Sequence, residues 1–175
     1  MSDSTSLIVE LSVPFQWRAE VTTVDGSAAI RVLQTAMALG EKPPVVSDEA
    51  MGLDLEVARL HQKTQLLIEL LALALQNQAG RPVAQAVALS TEGCQWQAAS
   101  ALPVGSRGSV ALWLHPAAPE PLLWPAEISA CHAQGTVHVL HAALLPLGES
   151  AQAALDRHVF LLHRRAVAEA RALRS

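Results

Sequence analysis

The sequence predicts an α+β protein in which a small antiparallel β-barrel lies between a long heptad-bearing helix and a C-terminal helix. Three patterns predict it. Apolar residues from Leu53 to Asn77 return at the spacing of a helix seam. Five short extended segments between Ala84 and Leu145 are separated by turn residues. From Ala151 to Leu173 apolar positions return at helical spacing.

The chain opens with Leu7 to Val13, which alternates weakly and reads as an edge strand ended by Pro14. Phe15 and Trp17 are expected to anchor this arm to the body. Asp25-Gly26-Ser27 is a turn into a helix, with Asp25 or Ser27 as its N-cap. That helix carries Ile30, Leu33, Ala36 and Met37 on one face and ends near Gly40. Pro43-Pro44 forces an extended break, after which Ser47 or Asp48 caps the long helix and Glu49 favours its dipole.

The long helix organises the chain. Leu53, Val57, Leu60, Thr64, Leu67, Leu71 and Ala74 recur at alternating steps of four and three. A mean step of about 3.5 marks a seam that supercoils against other helices. Leu66, Leu70 and Leu73 form a second stripe. Such a helix spans roughly 37 Å, more than a domain this small needs for its own core. One stripe is therefore expected to pack on the chain's own domain and the other on copies of itself. Thr64, a hydroxyl within the seam, either selects register and oligomer number or bonds back to its own helix. Fraying is expected near Asn77, and Pro82 stops the helix.

The predicted strands are Ala84 to Leu89, Cys94 to Ala99, Ser109 to His115, Pro121 to Cys131 and Thr136 to Leu145. Regular spacing of short strands suits a small barrel or sandwich. Trp113 and Trp124 are its large core or rim contacts. The last helix follows Gly148-Glu149-Ser150 and buries Ala154, Leu155, Val159, Leu162 and Val167. The domain reading is an N-terminal arm and helical oligomerisation region over 1–80, then the barrel with its C-terminal helix over 81–175.

Composition excludes several classes. A net charge of −4 lacks the basic footprint of a nucleic-acid binder. Cys94 and Cys131 have no metal or redox spacing, which suits a reducing cytosol. Met1 to Thr5 is polar and acidic, unlike a signal peptide, and the apolar run Leu66 to Leu75 is too short to span a bilayer. The expectation is a cytoplasmic protein without membrane insertion. His138 and His141 fall on opposite faces of a strand, and His158 and His163 are five apart on a helix. No histidine pair has the spacing of a helical zinc motif. The residues thus call for no metal, no cofactor and no catalytic site. Arg164, Arg165, Arg171 and Arg174 read as solvated cations near a helix C-terminus, with a phosphodiester or acidic partner as the alternative.

Four segments resemble the PilZ family, in its atypical form. Val87-Ala88-Leu89-Ser90-Thr91-Glu92-Gly93 resembles the motif written D/N-x-S-x-x-G, and Leu102-Pro103-Val104-Gly105 resembles its LPxG turn. Pro121 to Ile128 resembles its LPARV-like strand, and Asp156 to Phe160 with His163-Arg164-Arg165 resembles its closing helix. The resemblance implies a PilZ-like barrel in a subgroup that assembles through a parallel helical bundle as a tetramer. The ordinary family ligand, cyclic di-GMP, is gripped by R-x-x-x-R together with the Asp/Asn, Ser and Gly of the second motif. Here the Asp/Asn position is Ala88, and R-x-x-x-R is absent; Arg59-x-x-x-Lys63 is the nearest imitation. What remains of the ligand site is Ser90 and Gly93, with Arg81 alone before the barrel. The implied function is a non-enzymatic homo-oligomeric adaptor or scaffold of bacterial cyclic di-GMP signalling. It acts through a signalling-protein partner, with cyclic di-GMP binding weak or absent. The alternative is a direct receptor that uses other basic residues.

Overall fold

A computed structural model of the chain describes residues 7–20, 23–41, 53–76 and 80–172. Six antiparallel strands close a barrel in the order β1-β2-β3-β6-β5-β4. They are β1 (Val9–Arg18), β2 (Ala84–Leu89), β3 (Gly93–Ala98), β4 (Arg107–Leu112), β5 (Leu122–Gln134) and β6 (Val137–Leu144). The helices are α1 (Gly26–Leu39), α2 (Leu53–Gln76) and α3 (Glu149–Ala172). The α+β barrel expected from the sequence is therefore present.

The arm is not an edge strand ended by Pro14. β1 continues through the proline and closes the barrel: Val9 to Pro14 pair with β2, and Phe15 to Arg18 pair with β4. Pro14 sits where the strand changes neighbour, a place that suits a residue with no N–H to give a ladder. Its carbonyl accepts from Trp113 N at 3.1 Å. A boundary at residue 80 thus does not separate the barrel from what precedes it, since β1 is one of the staves. Phe15 lies 4.8 Å from the Trp96 ring inside the barrel, and Trp17 stacks on Trp96 at 6.0 Å.

Strand alternation fills the interior. Val87, Leu89, Trp96, Val110, Leu112, Leu122, Trp124, Ile128 and Leu140 are buried. Trp124 satisfies its indole N–H on Leu145 O at 2.9 Å, so its whole ring can be buried without an orphaned donor. Gly105 holds φ +85°, the left-handed conformation that its turn requires of a glycine.

The barrel core is capped by α1 and α3. Asp25, not Ser27, caps α1: its Oδ1 accepts from Ser27 N at 3.0 Å. The buried face is Ala29, Leu33 and Ala36, rotated from the expected one, with Ile30 and Met37 only half-buried. α3 buries Ala151, Leu155, His158 and Val159. Ala154 and Leu162 are half-buried and Val167 is exposed, contrary to expectation. α3 has 24 residues against 14 in α1, so its far end outruns its partner.

Among the described residues, no strand or other helix packs along α2. Leu60, Leu67, Leu66 and Leu70 are 64%, 66%, 54% and 63% exposed. The expectation that one stripe covers the chain's own domain is overturned, because α1 and α3 already occupy that place. Leu75, near the end of the helix, is buried. The Thr64 hydroxyl donates to Leu60 O at 2.9 Å, which satisfies it within the helix. The Ser47 and Asp48 caps, the Pro43-Pro44 break and Glu49 lie outside the described residues, as do Met1 to Thr5, Asn77 and Arg174. The side chain of Leu53 is likewise not described.

Candidate functional site

The motif residues Ser90 and Gly93 form the tight connection from β2 to β3. Ser90 Oγ accepts from Gly93 N at 3.0 Å and Glu92 N at 3.3 Å, and donates to Gly93 O at 3.1 Å. Ser90 N also donates to Gly93 O at 2.8 Å. The hydroxyl is therefore consumed in holding its own turn. Gly93 is required by proximity rather than by an unusual φ: a Cβ there would lie 2.6 Å from Ala142 O on β6.

Around this turn lies a groove of 430 Å³ on the outside of the barrel. Alternation explains which side chains reach it. Val9, Val87, Leu89, Cys94, Trp96, Leu140 and Ala142 point into the core, so Glu10, Ala88, Gln95 and His141 point outward. Pairing aligns these four across β1, β2, β3 and β6: Glu10 opposite Ala88, Ala88 opposite Gln95, Gln95 opposite His141. The small residues Ala88, Gly93 and Ala143 make the floor. Ile8, Glu10, Glu92 and Gln95 stand at its sides. No arginine or lysine lines the groove, and neither carboxylate has an ion-pair partner among the described residues.

Arg81 is elsewhere. It precedes β2 whereas Ser90 follows it, and a six-residue strand separates the two by roughly 20 Å. Its guanidinium donates to Pro116 O at 3.0 Å and His115 O at 3.3 Å and lies 5.9 Å from the Trp113 ring. Burial lowers its pKa. Arg81 thus fastens the start of β2 to the loop after β4, and the structure does not bring it to Ser90 and Gly93. Arg59 and Lys63 are exposed on α2.

The other candidate chemistry is weak. Burial pushes the Cys94 thiol up to about 12, the opposite of a nucleophile. Among the described residues no three His, Cys, Asp or Glu converge as metal ligands. His132 and His141 meet edge-on at 5.8 Å across the β5–β6 ladder, a proximity that linear spacing does not show. Glu10, Glu92 and His141 were missed as groove residues for the same reason. Only the outward phase of Glu10 and His141 and the place of Glu92 in a turn are visible in the sequence; the register that gathers them is not. No described helix is long and apolar enough to cross a membrane.

Comparison with known proteins follows the same lines. No curated protein sequence matches the chain. Among solved structures, a tetrameric PilZ domain protein of Xanthomonas campestris, self-assembled via an unusual helical bundle, superposes with a TM-score of 0.72. It is 28% identical, over 95% of this chain and 90% of that one. The family model described as "Atypical PilZ domain, cyclic di-GMP receptor" matches residues 40–172. With the barrel, the Ser90–Gly93 turn and the flanking helices all in place, the chain belongs to the atypical PilZ family, a family of binding domains.

Proposed function

We propose that this protein is a non-enzymatic, oligomeric adaptor of cyclic di-GMP signalling that works through a protein partner and has lost the ordinary ligand site. The observation that carries this reading is the charge of the groove beside Ser90 and Gly93. A cyclic dinucleotide presents two phosphates, which arginine forks hold well. This groove instead carries Glu10 and Glu92 and no cation of the Arg or Lys type. Two carboxylates beside two phosphates repel, and Arg81 is occupied at the far end of β2.

Assembly is assigned to α2 through Leu53, Val57, Leu60, Thr64, Leu67, Leu71 and Ala74, as a coiled-coil tetramer. The exposed leucines along this helix support the reading, as does the tetrameric helical bundle of the Xanthomonas campestris protein. The cytoplasm of a bacterium is the compartment that fits such a role. Titration calorimetry with cyclic di-GMP tests the ligand half: no saturable binding in the low-micromolar range is expected. A low-micromolar or tighter constant rejects it and favours a direct receptor, for which the family's description speaks. Arg81 and Arg59 are then the first residues to replace.

A further inference from the structure

We infer that the groove beside the Ser90–Gly93 turn is the partner-docking surface, and that it takes a peptide segment carrying an arginine or lysine next to an aliphatic residue. The inference rests on the adaptor reading above and names its site and partner chemistry. Three features select this occupant. The floor is made of Ala88, Gly93 and Ala143, whose small side chains leave a depression wide enough for a side chain to enter. Ala88 is decisive, because it stands in mid-row between Glu10 and Gln95, and any longer residue there would fill the depression. The charge is acidic, with Glu10 on one side of the floor and Glu92 on the turn, both without ion-pair partners among the described residues. A guanidinium or ammonium group complements them. The third feature is Ile8, 60% exposed at the groove's edge, an apolar contact that a neighbouring aliphatic side chain would cover.

The barrel also dictates how such a segment binds. Beneath the groove, Val87–Leu89 of β2, β3 and β6 are paired on both sides, and only at its border does β1 leave an edge, since Val9–Pro14 pair with β2 alone. The contacts to Glu10 and Glu92 run through side chains, which makes recognition sensitive to charge substitution and to salt. His141 lies on the far side of Gln95 in the same row.

The test uses the full chain, isotope-labelled, with two capped tripeptides as probes: Arg-Leu-Arg and its charge-reversed counterpart Glu-Leu-Glu. Saturable amide shifts at Ala88, Gly93 and Ala143 are expected with Arg-Leu-Arg and none with Glu-Leu-Glu. Glu10→Gln with Glu92→Gln should weaken the basic peptide at least threefold, and both positions are exposed enough to leave folding intact. Ala88→Gln, which fills the floor without changing charge, should weaken it as well. No shift at these amides, or equal shifts with both peptides, overturns the docking site. A cyclic di-GMP titration on the same sample separates this failure from that of the parent reading. Shifts of these amides by low-micromolar cyclic di-GMP would overturn the loss of the ligand site itself, whereas silence to both probes overturns only the peptide groove.

Discussion

At the scale of single residues, the most informative are those whose chemistry is absorbed by structure. Ser90 has the side chain of a ligand contact, yet its hydroxyl satisfies two backbone N–H groups of its own turn. Ser90→Ala is expected to cost about 0.5–1.5 kcal/mol, the net worth of a hydrogen bond that water can partly replace, measured by chemical denaturation. Gly93→Ala is expected to cost about 1–3 kcal/mol of overpacking, because its Cβ meets the Ala142 carbonyl. His158 is buried in α3 with neither ring nitrogen partnered among the described residues. Desolvation first, and the nearby Arg165 charge second, lower its pKa to about 4. In the unfolded chain a histidine titrates near 6.5. The folded state therefore refuses a proton that the unfolded state accepts. The contribution of His158 is complete above about pH 6.5 and is lost progressively as the pH falls towards 4, by about 3 kcal/mol in total. His158→Leu should flatten that part of the stability–pH curve. Equal slopes for the two proteins between pH 7 and 4 would refute it. The sequence shows His158 on an apolar helix and does not show that its nitrogens go unsatisfied, since that depends on what α1 and the barrel place against it.

At the scale of elements, the helices divide by what they cover. α3 and α1 close the barrel core, where Leu155 and Leu33 are fully buried. Leu155→Ala should lower stability by about 2–5 kcal/mol, the range for a leucine removed from a packed site, and by the same amount at every protein concentration. Leu70 on α2 has the same side chain and the opposite setting, 63% exposed in the single chain. Leu70→Ala should lower the melting temperature mainly in dilute solution, with the loss shrinking over a hundredfold rise in concentration, because mass action restores an interface between chains. A concentration-independent loss for Leu70→Ala would place its burial within the chain. The extent of α2 was legible from its heptads, and most strands were legible from alternation and turns. The role of β1 was not. Pro14 looks like a terminator in a linear reading, and only a strand that changes neighbour at that residue makes the proline harmless.

At the scale of the whole molecule, the core of the barrel with α1 and α3 makes no use of α2 along its length. Charging the seam with Leu60→Glu and Leu67→Glu should therefore reduce the mass in light scattering to that of smaller species, since unpaired carboxylates are costly to bury. The far-UV signal of the barrel should persist. An unchanged mass would remove the seam from the assembly. The sequence by itself determined the α+β class, the long heptad helix, most of the barrel strands and the absence of an R-x-x-x-R pattern, because periodicity and residue type are local properties. Tertiary structure alone decided the closure of the barrel by β1, the cover of its core by α1 and α3 rather than α2, and the separation of Arg81 from Ser90. It also decided the row of Glu10, Ala88, Gln95 and His141 and the nearness of Glu92 to it. Each of these depends on strand register and barrel order, which bring together residues far apart in the chain and leave no mark on the spacing of any one segment.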